Sequence, residues 1–362
     1  MSEKDDLQIS WDWGTAYDLF VSLMVLHYPE NFGLRGSWAA GVRSRIPPDE
    51  RKVLEDAQLT LPEIPLHFVY SLPEPKDSAT ALWKLGALSP VERFYALVKC
   101  PEFPQEASAI LTRVVDRGAW DEQDVSMLRE TLYGEKKKKP KDKQIETTLK
   151  WWSRPAEFGE RYLEALTAYR EVFFAEEENR IRPALKAALQ RGQLAAQEKD
   201  VPDLLEDLSQ GVRFTALAEN YDAQSLVLTP SYWSTPFIIH VKVSEGRMVL
   251  LYGARPAGAS LVPGEEVPDD LLHALKALAD PTRLRILKYL AEKPHSPADL
   301  SRRLRLRAPT VIHHLNALRL AGLVHLILGP EGERQYDIRS EMVRQTCVNL
   351  QNFLVQEPEK ET

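Results

Sequence analysis

The stretch 271-LLHALKALADPTRLRILKYLAE-292, with 296-SPADLSRRLRLRAPTVIHHLNALRLAG-322 after it, decides the fold of the last third of the chain. Its first part repeats apolar residues at the three- and four-residue spacing of a helix with one buried stripe, which comprises Leu271, Leu272, Leu275 and Leu278. Asp280 is a suitable N-cap, and Pro281 fits the first position of the next helix. That second helix runs through Leu284, Leu287 and Leu290.

The second part of this stretch has the pattern of a helix-turn-helix. Ser296 caps a third helix, Pro297 fits its first position, and Asp299 is favourable beside the positive helix end. Leu300 and Leu304 lie on the side of that helix that is predicted to face the hydrophobic core. After a short turn, a fourth helix over residues 309–321 buries Val311, Leu315 and Leu318, and Gly322 ends it. The opposite side, which carries small and hydrogen-bonding residues, suits entry into a DNA major groove.

Two short strands with a glycine-containing turn between them follow the fourth helix. The segments LVHLIL and RQYDIR flank GPEGE and predict a hairpin that can serve as a wing. Glu331 and Glu333 at its tip would repel phosphate, so Arg334 is the one cation well placed there. The predicted DNA-contacting residues are Arg302, Arg303, Arg305, Arg307, Thr310, His313, Asn316, Ala317 and Arg334.

The adjacent histidines of the fourth helix have different predicted roles. His313 lies on the outer face and is expected to contact a base edge, whereas His314 flanks the buried stripe and is expected to pack within the domain. Neighbouring residues on a helix point about 100° apart, so the two imidazoles would not chelate one metal ion.

The segments ALADPTRLRILKYL, SPADLSRRL and PTVIHHLNALRLAGLV, with the hairpin after them, resemble the ArsR-type repressor domain in order and spacing. The resemblance implies a transcriptional regulator that binds double-stranded DNA, with repression as the family expectation. Metal-sensing members carry a Cys-x-Cys pair on the helix that matches residues 296–304, and this sequence has none there. The last helix also lacks paired His and acidic ligands. We therefore expect no metal and no cofactor at those positions.

A homodimer is expected from the final helix. One broad side of it is more apolar than a helix at a chain end would leave in water, and that side comprises Met342, Val343, Thr346, Cys347, Leu350, Phe353 and Leu354. In the resembling family, the first and last helices of the domain pair across a twofold axis. The resemblance therefore implies a dimer held by residues 270–279 and 340–354.

Charge is distributed unevenly along the 362 residues. The net charge is −7, but residues 269–340 contain twelve Lys or Arg and eight Asp or Glu, a net charge of +4, so the remainder carries −11. Such segregation suits a chain with one nucleic-acid-binding part. The two cysteines suit a reducing compartment, and neither a signal peptide nor a membrane span is indicated. We therefore expect a cytoplasmic protein.

The fold class predicted for the whole chain is mainly α with small β elements. Residues 1–223 are expected to form a helical sensor or assembly domain with a basic linker at 134–144, and residues 224–267 a small β-hairpin or sheet and a connector. Residues 268–340 form the predicted winged helix-turn-helix, and residues 341–362 a dimerisation helix and tail. The stretch VLTPSYWSTPFIIHV resembles the sheet that precedes this domain in long regulators of the same kind.

Other functions are less well supported by the sequence. None of the motifs GxxxxGK[ST], GxGxxG after a strand, GxSxG or HExxH occurs, so we expect no enzyme activity. The alternatives are a winged helix used for protein contacts and an enzyme whose site lies unrecognised in the N-terminal domain. An aromatic-rich segment, with Trp151, Trp152, Phe158, Tyr162, Tyr169, Phe173 and Phe174, could line a pocket for a small-molecule effector, although core packing is the better interpretation.

Overall fold

A computed structural model describes residues 7–32, 34, 36–100, 103–134, 142–209, 212–214, 224–235, 237–256, 268–329 and 333–355. Most of the predicted basic linker, residues 135–141, lies outside the described residues. So do residues 257–267 of the predicted connector, Glu331 of the wing tip and the tail after residue 355. Among the described residues, the helices lack the length and apolar character that crossing a membrane requires.

The N-terminal region is mainly helical, as predicted. Its helices bury apolar residues along one face, as amphipathic helices do. They are α1 (Thr15–His27), α2 (Gly36–Arg45), α3 (Pro48–Thr60), α4 (Leu66–Tyr70), α5 (Ser78–Ala87), α6 (Pro90–Val98), α7 (Gln105–Arg117), α8 (Glu122–Tyr133), α9 (Asp142–Trp152), α10 (Pro155–Tyr169), α11 (Ala175–Glu198) and α12 (Val201–Leu208). A 3-10 turn covers Pro29–Phe32, and a π-helical turn, Arg170–Phe174, joins α10 to α11.

A four-stranded sheet packs against these helices. Its strands are β1 (Gln8–Trp11), β3 (Ser225–Ser231), β4 (Ile239–Ser244) and β5 (Arg247–Gly253), in the order β1-β3-β5-β4. The expected hairpin is present as the antiparallel pair β4–β5. The sheet is nevertheless larger than predicted, because β3 pairs in parallel with β5 and β1 pairs in parallel with β3, from Gln8 beside Ser225 to Trp11 beside Leu228.

The helices and this sheet share one hydrophobic core rather than two. Residues 224–254 were predicted as a small β segment after the helical domain, yet their strands bury the same core as α1 and α10. The aromatic-rich segment contributes to that core: Trp151, Trp152, Phe158, Tyr162, Tyr169 and Phe174 are buried. Core packing is therefore the main role of these rings, and Trp152 also lines a cavity.

Two buried carboxylates connect distant parts of this region. Asp18 of α1 accepts hydrogen bonds from the Ser231 hydroxyl and from the backbone N–H groups of Tyr232 and Trp233, at 2.7, 3.1 and 2.9 Å. The carboxylate thus satisfies the chain where it leaves β3, as buried polar groups require. Glu178 of α11 likewise accepts a hydrogen bond from the backbone N–H of Ser78 at 2.9 Å.

The C-terminal region has a hydrophobic core of its own. Its elements are α13 (Asp269–Leu278), α14 (Pro281–Leu290), α15 (Pro297–Leu304), α16 (Ala308–Leu320), β6 (Val324–Leu328), β7 (Arg334–Ile338) and α17 (Ser340–Val355). The strands β6 and β7 form the predicted antiparallel hairpin. A third strand, β2 (Val212–Phe214), pairs in parallel with β6, so the sheet order is β2-β6-β7.

Candidate DNA-binding surface

Helix α15 begins as its sequence predicts. The Ser296 hydroxyl accepts a hydrogen bond from the backbone N–H of Asp299 at 3.2 Å, and the Asp299 carboxylate accepts one in return from the backbone N–H of Ser296. Hydrogen bonds from Ser296 and from the exposed Arg302 side chain hold the pKa of Asp299 at about 2. This capping box, with Leu300 and Leu304 buried, sets the direction in which α15 approaches the turn.

The turn between α15 and α16 depends on one residue in the left-handed conformation. Arg305 has φ 57° and ψ 40°, and the backbone N–H of Leu306 donates to the carbonyl of Ser301 at 3.1 Å. A residue with a Cβ is disfavoured there, and glycine would adopt the conformation more readily. The fold accepts this strain at a position whose side chain is exposed.

Helix α16 has a buried inner side and an exposed outer side. Val311, Leu315 and Leu318 are fully buried, as predicted. The helix ends in a Schellman motif: Gly322 has φ 68°, its N–H donates to the carbonyl of Arg319, and the N–H of Leu323 donates to that of Leu318. The inner contacts and the cap together fix the rotation of the helix about its own axis.

The outer side of α16 carries the predicted base-contacting residues. Thr310, His313 and Asn316 are exposed, whereas Ala317 is half-buried. Ile312, which was absent from the prediction, is 43% exposed beside His313. Its exposure could have been predicted from its position one turn before Asn316, since residues four apart share a helix face. An exposed isoleucine on this face can contact a thymine methyl group.

His314 differs from its neighbour in its surroundings. Its side chain is half-buried, and its Nδ1 atom lies 3.9 Å from the Oδ1 atom of Asp280, the N-cap of α14. Burial lowers the pKa of His314, and the nearby Asp280 charge opposes that shift. This placement agrees with the packing role predicted for His314.

Four arginines surround the turn and the start of α16, and all four are exposed. Arg302 forms an ion pair with Asp299, and the Arg303 guanidinium lies 5.4 Å from the centre of the Tyr289 ring. Arg305 stands at the turn and Arg307 at the N-cap of α16. On the wing, Arg334 and Glu333 are both exposed. Arg305 and Arg307 thus lie at the N-terminal end of α16.

These elements are those of a winged helix-turn-helix. Residues 280–325 match the family model described as bacterial regulatory protein, arsR family. They form an ArsR-family regulator domain. A comparison with curated proteins finds no match to the chain. The ArsR-family domain supports a DNA-binding transcription regulator, and the predicted contact residues between Arg302 and Ala317 all lie within the matched range.

The N-terminal region touches the ArsR-family domain near the C-terminal end of helix α16. The Arg319 guanidinium lies 5.3 Å from the centre of the Phe237 ring. On the wing side, Nδ1 of His325 in β6 lies 3.8 Å from Oε1 of Glu206 in α12. Thr310, Ile312 and His313, on the outer side of the first two turns of α16, stay exposed beside these contacts.

Three sequence predictions about apolar faces of the ArsR-family domain need correction. Leu284 is 49% exposed, because Ile286, Leu287 and Leu290 supply the core side of α14. On α13, the buried line consists of Leu271, Ala274 and Ala277, and Leu272 and Leu275 are only partly buried. The small alanine side chains let α16 and α17 approach α13 closely.

The third correction concerns the apolar side of α17. Thr346 is buried and Leu350 and Phe353 are half-buried, because α17 packs against α13 of the same chain. Cys347 and Leu354 are exposed, Leu354 to 71%. The chain therefore covers part of the surface that was predicted to need a partner, and the rest stays accessible.

Proposed function

We propose that this protein is a sequence-specific transcriptional repressor that reads the major groove of duplex DNA with helix α16. The observation that carries the proposal is the rotation of α16, which buries Val311, Leu315 and Leu318 and exposes Thr310, His313 and Asn316. Side chains that can donate or accept hydrogen bonds, with the apolar Ile312 among them, are the type that reads base edges. A helix of this kind enters the groove with its N-terminal residues.

The arginines supply the sequence-independent part of binding. Arg302, Arg303, Arg305 and Arg307 lie at the turn and the start of α16, where a helix-turn-helix meets the phosphate backbone. Each phosphate that they neutralise would release condensed counterions, which gives a slope of about −0.9 per phosphate in a plot of log affinity against log salt. The acidic remainder of the chain opposes DNA contact elsewhere.

We further propose that the protein acts as a homodimer. The accessible apolar parts of α13 and α17 favour pairing of two copies, and a twofold axis there would place two copies of α16 about 34 Å apart. The operator would then be an inverted repeat. In this proposal the N-terminal region senses a small-molecule effector or stabilises the assembly, since it contacts both the wing and the end of α16.

The test is selection of duplex DNA fragments by the full-length protein, followed by sequencing and by a promoter-reporter assay. We expect an inverted repeat, and lower transcription when it overlaps a promoter. The fourfold variant Arg302→Ala, Arg303→Ala, Arg305→Ala and Arg307→Ala should lose binding, whereas Arg45→Ala, which removes an exposed charge at the end of α2, should not.

Failure to enrich any duplex DNA at low salt would contradict the proposal. It would favour the use of the winged helix for protein contacts. Enrichment with increased transcription would leave DNA recognition intact and contradict only repression.

A further inference from the structure

A cavity of about 400 Å³ lies in the N-terminal region among helices α3, α7, α8 and α9. Its size is within the range of sites for small organic ligands, about 300 to 1,000 Å³. The rings of Trp152, Tyr133, Tyr28 and Phe103 line it together with the aliphatic side chains of Leu111, Leu128, Leu132 and Ile145. It is separate from the surface proposed to bind DNA.

The polar groups of this cavity are uncharged. They come from Gln58, Thr60, Gln144 and Thr148 and from the hydroxyls of Tyr28 and Tyr133, and no Asp, Glu, Lys, Arg or His is found among the described residues that line it. An ion that entered would exchange its hydration for apolar walls with no opposite charge to compensate, which is costly. Side-chain amides can instead donate to or accept from a neutral polar group.

Hydrogen bonds within the protein fix part of the wall. Trp152 Nε1 donates to the carbonyl of Thr60 at 3.2 Å, and the Thr148 hydroxyl donates to that of Leu59 at 2.9 Å. These hydrogen bonds hold the side chains of Trp152 and Thr148 in place against α3. A wall held in this way loses little freedom when a ligand binds.

A second cavity of about 190 Å³ adjoins the first and shares Tyr28, Gln58, Leu61 and Pro62 with it. Phe20 and Tyr162 add two more rings. Its charged lining residue is Glu63, and Lys, Arg and His do not occur among the described residues around it. Among the described residues that line the two cavities, the single charged side chain is therefore the carboxylate of Glu63, which disfavours an anion.

We propose that the N-terminal region binds an uncharged aromatic small molecule in these adjoining cavities. Ring faces and leucine side chains supply the apolar contact, and Gln58, which lines both cavities, supplies a hydrogen bond at their junction. The inference stands independently of DNA recognition, since it concerns different residues and can be tested without DNA.

The probe pair is N-phenyl-1-naphthylamine and 8-anilino-1-naphthalenesulfonate. They share one ring skeleton and differ by a sulfonate, and both fluoresce more strongly in apolar surroundings. Titrating the full-length folded protein should give saturable enhancement with the neutral amine, and at least tenfold weaker binding of the sulfonate. Equal affinity for both probes, or no saturable binding of the amine, would overturn the proposal.

Two variants locate the binding. Leu132→Trp should fill the larger cavity and weaken binding of the neutral probe at least tenfold, whereas Leu194→Trp changes a leucine that is 63% exposed on α11 and should leave it unchanged. Gln58→Glu conserves shape and adds a negative charge, so it too should weaken binding, with an unchanged circular dichroism spectrum as evidence of folding. Retention of full affinity in both Leu132→Trp and Gln58→Glu would overturn the assignment to this site.

Discussion

Val212 of β2 lies in parallel register with Leu326, on the middle strand of the wing sheet. Both side chains are buried, at 2% and 5% exposure. The wing sheet is therefore completed by a strand that precedes the predicted β segment. The N-terminal region and the hairpin β6–β7 share backbone hydrogen bonds.

Breaking the β2–β6 ladder should loosen the wing. Val212→Pro removes a backbone N–H and restricts φ, which disfavours strand pairing, so amide hydrogen exchange of residues 324–328 should become faster. Val243→Pro is the matched control, because Val243 lies at the irregularity in the edge strand β4. Unchanged exchange at 324–328 in Val212→Pro would show that β2 does not hold the wing.

The left-handed conformation of Arg305 allows stability to be separated from DNA contact. Arg305→Gly should raise the free energy of unfolding by about 1 kcal/mol relative to Arg305→Ala, since only glycine relieves the strain. Both variants lose the guanidinium, so their DNA affinities should fall equally, with a salt slope smaller by about 1. Denaturant unfolding and DNA titration measure the two effects. Equal stability of the two variants would contradict the inference that the backbone at residue 305 is strained.

Substitutions of His313 and Arg307 should have different effects on DNA binding. His313→Ala should weaken the free energy of binding to the best operator by about 1–3 kcal/mol, because it removes a base-edge contact. It should also relax the preference at one base position. Arg307→Ala should weaken binding to all sequences and reduce the salt slope. Binding to specific and random duplexes at several salt concentrations distinguishes the two. Equal losses on both duplexes for His313→Ala would refute its role in base reading.

Replacing Leu350 and Phe353 together by Glu should give monomers that bind a half-site weakly. Both side chains are half-buried on α17 and would bring charge to the proposed dimer contact. Sedimentation velocity gives the mass, and circular dichroism checks that the fold persists. Leu194→Glu, a change on an exposed part of α11, should remain dimeric. A folded double variant that stays dimeric would place the interface elsewhere.

Asp18 should make stability depend on pH. Full burial raises its pKa from 3.8 to about 6, although three hydrogen bonds oppose the shift. A raised carboxyl pKa means that the stabilising contribution is present below the ordinary pKa and is lost as pH rises through about 6. Between pH 4 and 7.5, the free energy of unfolding of the wild type should therefore fall by up to about 3 kcal/mol relative to that of Asp18→Asn, as the size of the pKa shift implies.

Denaturant unfolding of both proteins across that range measures the difference. Asp18→Asn should itself be less stable at the acidic end, because its amide N–H₂ would face a backbone N–H donor at Tyr232 or Trp233. Parallel pH profiles for the two proteins would mean that Asp18 does not titrate in this range.

The sequence by itself determined the helix-turn-helix and the inner side of α16. The cap at Ser296, the spacing of Val311, Leu315 and Leu318 and the end at Gly322 are local features, because helical hydrogen bonds and caps connect residues within about five positions of one another. These features therefore depend only on residues that are close together in the sequence. The mainly α class followed for the same reason.

Only the tertiary structure decided which strands pair and which apolar residues stay exposed. Strand β2 has three residues, too few for an alternating pattern, and β1 joins its sheet through a partner far along the chain. The exposure of Leu284 and Ile312 and the cavity beside Trp152 likewise depend on how separate helices pack. Pairing and packing join residues that are distant in sequence, so no local periodicity encodes them.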